Sequence, residues 1–481
     1  MPTFQTVLRG HVTAADKAQQ DYAYIPFDLP QPAHRLHVRY VYSDPISSDE
    51  TEGGNVIDLG IFDPRGAAFP GGLGFRGWSG SARREFSLSP TGATPGYLPG
   101  PLPAGRYQVI LGLYRVWSAG ADYEIYVEAE MDETAPTTFP AQLSPPVLAP
   151  SAVPPEPTFW LRGDLQSHTN HSDATGTLLQ LIRKARAAQL DYLAVTDHNT
   201  VSHHPHLGPL GGNDLLLLLG QEVTTYYGHM NVWGTGRWCD FRCKTQADMA
   251  AVINLAHAHG GICSINHPKT DGPAWEYGTD LSVDAMEVWQ GPWPHRNTES
   301  LALWESLLAQ GRRLPVVGGS DYHCSSGAET DMLRVGQPTT WVKVTERSAT
   351  AILQAIRAGH ASISAHPNGP RLDLQATAGE ITAQMGDMVK VPAGEAINVS
   401  IEITNGAGHT LRVLADGEVV QENAITHAAT TVQVPVKARH YVRAEVVGNM
   451  VREQLPPEAP VDLDLRGWRW ALSNPVYVVA E

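Results

Sequence analysis

The stretch Arg162-Gly163-Asp164-Leu165-Gln166-Ser167-His168-Thr169-Asn170-His171-Ser172-Asp173 concentrates imidazoles and carboxylates in one short segment that reads as a strand end and the loop after it. Imidazole and carboxylate are the side chains that bind zinc-like divalent ions. Further donors follow, each at the end of an apolar run. They are Asp197 and His198, then Glu222, His229, His267 in Asn266-His267-Pro268, and finally Asp321 and His323 in Gly319-Ser320-Asp321-Tyr322-His323. Of 20 histidines, 12 fall between His168 and His323, so the donors belong to one third of the chain. A hydrolytic metal centre needs neutral and anionic donors, a carboxylate able to bridge two ions and an open position for water. This region has the residues for it.

Ligands so scattered in sequence meet only if the strands carrying them end on one face, as they do in a β/α barrel. The apolar strands Tyr192 to Val195, Leu215 to Leu219, Gly261 to Ile265, Ala285 to Trp289 and Leu314 to Val317 are interleaved with helical stretches at Thr177 to Gln189, Gln246 to Ala258 and Ser348 to Ala358. In the first of these helices Leu178, Leu181, Ile182 and Ala185 share a face while Arg183, Lys184 and Arg186 point outward. The repetition predicts a parallel sheet covered on both sides, placed at residues 158–370.

The period changes to two on either side. Residues 1–134 alternate at Leu36 to Tyr42, Val56 to Phe62, Tyr107 to Tyr114 and Tyr123 to Ala129, with no helical stretch of useful length, and predict a β-sandwich. Its aromatic and glycine-rich loop, Phe75 to Trp78, is expected to pack on its own sandwich rather than act as a lid. Residues 135–157, with eight prolines in 23 positions, predict a stiff linker. Residues 371–481 alternate again at Asn398 to Thr404 and Tyr441 to Val447, with a hairpin turn at Ala415 to Glu418, and predict a smaller sandwich ending in Pro475 to Val479.

Composition removes several function classes. A net charge of −16 with no basic run argues against a nucleic-acid partner. The start Met1-Pro-Thr-Phe-Gln-Thr-Val-Leu-Arg9 lacks the features of a signal peptide, and the aliphatic run Leu215 to Leu219 is too short to span a bilayer, so a cytoplasmic protein without a membrane partner is expected. Cys239, Cys243, Cys263 and Cys324 read as reduced thiols, the pair Cys239-x-x-x-Cys243 being half of a zinc site at most.

The motif order resembles the polymerase and histidinol phosphatase (PHP) superfamily of metallohydrolases, whose opening motif is Asp-Leu-His-x-His-Thr-x-x-Ser-Asp. Gln166 stands where the first histidine would be. Asp197-His198, Glu222, Asn266-His267-Pro268 and Asp321-x-His323 fit the later elements. The flanks Phe75-Arg-Gly-Trp-Ser-Gly-Ser-Ala-Arg83, Ala93-Thr-Pro-Gly-Tyr97 and Leu472-Ser-Asn-Pro475 are similar to the carbaryl-hydrolase-like branch. The resemblance implies a distorted seven-stranded (β/α) barrel between the two sandwiches, holding two or three divalent ions such as Zn, Mn or Fe. By that pattern Gln166, His168, Glu222 and Asp321 surround a first ion, Glu222 bridges to a second with His229 and His267, and Asp173, His198 and His323 hold a third. Asp197 orients a ligand.

The implied chemistry is hydrolysis of a small-molecule carboxyl ester or aryl carbamate by a metal-activated hydroxide. Glu222 would bridge the ions, Asp321 would move the proton, and Lys269, Arg296 or Gln166 would contact substrate. Phosphomonoester or phosphodiester hydrolysis at the same centre is the alternative, disfavoured by few cations near the motifs. A metal-binding module without catalysis is the second alternative, suggested by Gln166. The isolated His257, His259 and His295 read as solvated or helix-end residues. The cluster His203-His204-x-His206 lies in a Pro- and Gly-rich loop where the family has no element.

Overall fold

The computed structural model describes residues 2–47, 50, 52–139, 158–270, 274–326, 333–392, 394–452 and 463–480. The expected linker falls outside these from residue 140 to 157. The fold is mixed α/β, with few helices and many strands in several sheets.

The N-terminal residues form two four-stranded antiparallel sheets. One contains Thr3–Val12, Ala33–Tyr42, Glu85–Leu88 and Ala121–Met131; the other Tyr22–Leu29, Val56–Phe62, Phe75–Gly80 and Gly105–Arg115. Alternation explains the layering: Leu36, Val38 and Tyr40 from one sheet and Leu59, Ile61, Val109 and Leu111 from the other meet in one core. A short helix, Ala14–Gln19, closed by a capping box from Thr13 to Asp16, was not legible because it buries no residue.

The middle residues depart from a purely parallel sheet. Parallel pairing joins Phe159–Asp164 to Tyr192–Val195, that strand to Leu216–Thr225, and Ile262–Asn266 through Ala285–Gln290 to Val316–Gly319. Between them Leu216–Thr225 and Gly228–Trp233 form an antiparallel hairpin, as do Thr339–Val344 and Ala361–Ser364 around helix Ala349–Ala358. The first turn is tight because Gly228 holds φ at 133°, where an added Cβ would meet Trp275. Val316–Gly319, the last strand on one side of this sheet, is joined to Thr339–Val344 by a side chain: Thr340 Oγ1 accepts from Gly318 N at 2.9 Å and donates to Gly318 O at 2.7 Å. Helix Asn297–Ala309, with Leu301, Trp304, Leu307 and Leu308 buried, is an element that the reading above omits.

The C-terminal strands do not stand apart. Trp468–Ser473 pairs antiparallel with Ala361–Ser364, continuing the middle sheet into Tyr441–Gly448, Thr410–Ala415 and Glu418–Ala424. A second sheet of Arg371–Ala378, Ile381–Gln384, Ile397–Thr404 and Ala429–Val436 packs on it. One core contains Met286, Trp304, Leu314 and Val316 together with Leu374, Ile401, Val446 and Leu472. Buried Asn474 fastens the seam, exchanging hydrogen bonds with Val316 N and O and donating to Ala361 O. Among the described residues no helix is long and apolar enough to cross a membrane.

Candidate metal centre

The strand ends bring the donors of the sequence together in three overlapping groups. His168, Asp173, His198 and His323 form one, Glu222, His229 and His267 a second, and His168, Glu222 and Asp321 a third; within each group the ligand atoms lie within 4.8 Å of one another. Glu222, fully buried, is the hub. Its Oε1 is 3.3 Å from both His229 Nδ1 and His267 Nε2, and its Oε2 is 3.1 Å from His198 Nδ1 and 3.4 Å from His168 Nε2. Asp173 lies 3.7 Å from His198 Nε2 and 3.4 Å from His323 Nε2. Gln166 donates through Nε2 to Glu222 Oε1 at 3.1 Å and Asp321 Oδ1 at 3.0 Å.

Local backbone explains the convergence. Glu222 and Thr224 share a strand face, and the hairpin places His229 opposite Thr224 and Asn266 opposite His229, so donors of three strands line one surface. Parallel pairing sets His168 beside His323. His267 and Asp321 hold φ at 27° and 52°, conformations that cost a non-glycine residue about 1–3 kcal/mol and concentrate at functional sites.

These groups fit a metal better than they fit one another. Gln166 Oε1, His168 Nδ1, Glu222 Oε2 and His229 Nδ1 are buried without a hydrogen-bond partner. Such orphans are rare where nothing else coordinates them. The field is cation-seeking as well. Burial opposes charge on His198, but Asp173 and Glu222 outweigh it and push the imidazole up to about 9. Asp173 and Asp321 likewise overcome burial to push His323 up to about 10. Despite the same opposition, His168 and His323 hold Asp321 below the usual carboxylate range. A site that attracts protons so strongly offers divalent ions the same donors.

A second layer fixes the first. Asp197 accepts from Thr169 N at 2.7 Å, Thr169 Oγ1 at 2.8 Å and Ser172 Oγ at 2.8 Å, and thereby holds the loop that bears Asp173. His198 Nδ1 contacts Thr224 Oγ1 at 2.5 Å, and Asn266 Nδ2 donates to Glu222 Oε1 at 2.9 Å. Glu287, absent from the reading above, accepts from His267 N at 3.0 Å. Burial, with Asp321 and Glu222 nearby, raises its carboxyl well above the ordinary range. Its one signal was a glutamate inside the apolar strand Ala285–Gln290.

Two residues expected to contact substrate have protein partners in the structure. Lys269 is buried and its ammonium is engaged with Gln290 Oε1, His295 O and Asn297 Oδ1. Gln290 in turn donates through Nε2 to Asp321 Oδ2 at 2.6 Å. Arg296 is more than half exposed and bonds to Thr270 and Glu299. Phe75 to Trp78, expected as a loop on its own sandwich, belongs to the strand Phe75–Gly80 and packs on the middle residues. Phe75 stacks on Trp238 at 3.8 Å, and Trp78 lies 4.5 Å from Phe241. Arg83 donates to Ser172 O at 2.7 Å and to Asn170 O, clasping the metal loop from the N-terminal sheets.

The remaining candidates have structural partners. His203 and His204, at the start of helix His204–Leu210, contact Gly220 O at 3.1 and 2.8 Å. His257 pairs with Asp284 at 2.7 Å, which also binds Arg357. Cys239, Cys243 and Cys263 are free thiols and, like Cys324, are buried.

No family model matches the chain, and no curated protein matches it. Solved structures with partial likeness include a two-domain protein from Bacteroides vulgatus containing a predicted PHP-like metal-dependent phosphoesterase, at 16% identity and TM-score 0.36, covering 66% of this chain and 95% of that one. A candidate metal-dependent phosphoesterase from Bifidobacterium adolescentis has 18% identity and TM-score 0.26, covering 36% and 92%. An amidohydrolase from Chromobacterium violaceum has 14% identity and TM-score 0.23, covering 34% and 88%. At these scores the likenesses decide nothing about activity, which has to be read from the site.

Proposed function

We propose that the chain is a metal-dependent hydrolase of small-molecule carboxyl esters or aryl carbamates, with a multinuclear centre of PHP type. The observation that carries this reading is the convergence of three overlapping donor groups, two of which share the buried carboxylate Glu222. In this reading residues 158–370 are a distorted seven-stranded barrel of the carbaryl-hydrolase-like branch, and residues 1–134 and 371–481 are flanking sandwiches. The protein is cytoplasmic, with no nucleic-acid or membrane partner. Divalent ions, when bound, supply Lewis acidity and an acidified water.

The chain's own residues do the rest. Glu222 is shared by two donor groups and sets their separation. Asp321, held ionised by His168 and His323, takes the proton released by the attacking water and returns it to the leaving oxygen. Glu287 and Lys269, through His267 N and Gln290, keep these groups in place.

The substrate class follows from charge. A cavity of about 660 Å³ opens on Asp173, His198 and His229, and among the described residues Arg84 is the one Lys or Arg that lines it. Anionic phosphoesters are ordinarily clamped by several cations, so a neutral carbonyl centre suits this wall better. The test is metal analysis of the purified protein together with turnover of nitrophenyl carboxylates, carbamates and phosphates. Two or more divalent ions per chain and a preference for carbonyl esters are the expected results. Phosphate preference would make the protein a phosphoesterase, bound metal without turnover would leave a binding module, and absence of metal would end the reading.

Gln166 gives a second test. Its Nε2 faces the carboxylates while Oε1 has no partner, and a half-turn of the amide exchanges the two. Amide oxygen is a weaker donor to borderline ions than imidazole. Chelator titration should therefore remove metal in two phases, and Gln166→His should tighten the weaker phase roughly tenfold. A single phase, unchanged by the substitution, would place residue 166 outside the coordination shell.

A further inference from the structure

The cavity beside the metal centre has a second wall, contributed by the N-terminal sheets. Tyr22, Asp58, Trp78, Ser79, Arg84 and Tyr114 line it from that side, facing Asp173, His198, Tyr226 and His229 of the middle residues. The aromatic rings form a continuous surface. Tyr22 packs edge-on to Trp78 at 5.9 Å and stacks on Tyr226 at 5.7 Å, and Tyr226 meets Tyr114 edge-on at 5.4 Å. Space for them is made by Gly112, where a Cβ would come within 2.4 Å of the Tyr226 hydroxyl and 2.6 Å of Trp78.

Asp58 sits within this wall. It is 7% exposed, and its Oδ2 accepts from the Tyr226 hydroxyl at 2.7 Å. Its Oδ1 has no hydrogen-bond partner among the described residues. Neither of the cations that act on Asp58 from a distance bonds to it. Lys17 pairs with Asp21 at 2.6 Å and lies 4.1 Å from the centre of the Tyr226 ring, and Arg84 is bonded to Tyr40. Burial therefore dominates and pushes the Asp58 carboxyl up to about 7, against the lowering pull of Tyr226 and those cations. A buried carboxylate without its own counter-ion is costly, and a ligand cation that supplies one recovers that cost. Aromatic faces add attraction for an ammonium group.

We propose that this wall selects the substrate: Asp58, with Tyr22, Trp78, Tyr114 and Tyr226, receives a protonated amine carried on the part of the ester remote from the reacting carbonyl. The assignment rests on the hydrolase reading, since it names the substrate class of the same site. It can nevertheless be tested without turnover.

The experiment is calorimetric titration of the metal-loaded full chain with N,N-dimethylbenzylammonium and, separately, with neutral benzyl alcohol. Mildly alkaline buffer keeps Asp58 ionised and the amine protonated. The parent should prefer the cation roughly tenfold to a hundredfold, as a charge-assisted hydrogen bond to a buried carboxylate implies. Asp58→Asn, which keeps a partner for Tyr226, should bring the ratio close to one with metal content unchanged. Tyr114→Leu, at a side chain exposed enough to tolerate change, should lower it severalfold. Equal affinity for the two ligands in the parent, or a cation preference that survives Asp58→Asn, would overturn the proposal. Should Asp58→Asn fail to fold, an undiminished preference in Tyr114→Leu would overturn it too. Loss of hydrolysis with the preference intact would count against the hydrolase reading alone.

Discussion

Glu222→Gln is expected to lower hydrolysis at least about a thousandfold and to reduce bound metal, a larger effect than any single histidine substitution in the site. The reason is geometric and electrostatic together. Four imidazoles, those of His168, His198, His229 and His267, lie within 3.4 Å of the Glu222 carboxylate oxygens. Removing one imidazole deletes one donor. The amide keeps the shape of the carboxylate yet deletes the charge shared by two donor groups, in a place fully screened from water where charge matters most. It also brings an NH₂ towards nitrogens that should face cations. Parallel measurement of metal content and turnover for Glu222→Gln and for His229→Ala and His267→Ala separates the cases. Near-normal turnover with full metal in the amide variant would show that Glu222 does not bridge.

Much of this centre was legible because metal ligation constrains residue type and position together. His168, His198, Glu222, His267, Asp321 and His323 stand at the ends of apolar runs, and a strand end is where a side chain can leave the sheet and face a common pocket. What was not legible depends on direction rather than type. Lys269 follows the His267-Pro268 turn in sequence, but the chain turns its ammonium towards Gln290 and the His295 carbonyl. Adjacency along the chain says little about where a long side chain ends. The antiparallel hairpin at Gly228 was hidden because an apolar strand looks alike in either direction. That hairpin nevertheless explains why His229, seven residues beyond Glu222, faces the same side.

The cavity wall belongs to a third class. Asp58 and Tyr226 are 168 positions apart, and their contact exists because one face of the N-terminal sheet pair lies against the middle residues. Alternation within Val56 to Phe62 gave a strand, while all seven residues of Val56–Phe62 are buried, more than alternation alone requires. A strand buried on both faces in an outer sheet indicates that something else covers that sheet.

The chain ended after Pro370 is expected to lose its cooperative fold and its metal, although every candidate ligand lies before that point. Alternation alone suggests a separable last sandwich, and the pairing argues against it. Removal of the last strands strips Trp468–Ser473 from Ala361–Ser364, leaving an unpaired edge in the sheet that carries the metal ligands. It removes Asn474 from Val316 and Ala361, orphaning buried backbone groups beside the strand that leads to Asp321. It also bares Met286, Trp304, Leu314 and Val316, which share one core with Leu374, Ile401 and Val446. Re-exposing each such side chain costs about 1.5–3 kcal/mol, so four approach or exceed the roughly 5–15 kcal/mol that stabilises a whole domain. Arg443 would leave Glu305 as well, an ion pair across the same boundary. Thermal unfolding and metal analysis of the shortened chain decide the matter. A soluble product with a sharp transition and a full complement of metal would show that residues 158–370 fold alone. If that product were also inactive, groups needed by the substrate would have to lie beyond Pro370, and the cavity wall assigned to the N-terminal sheets would not be the complete binding surface.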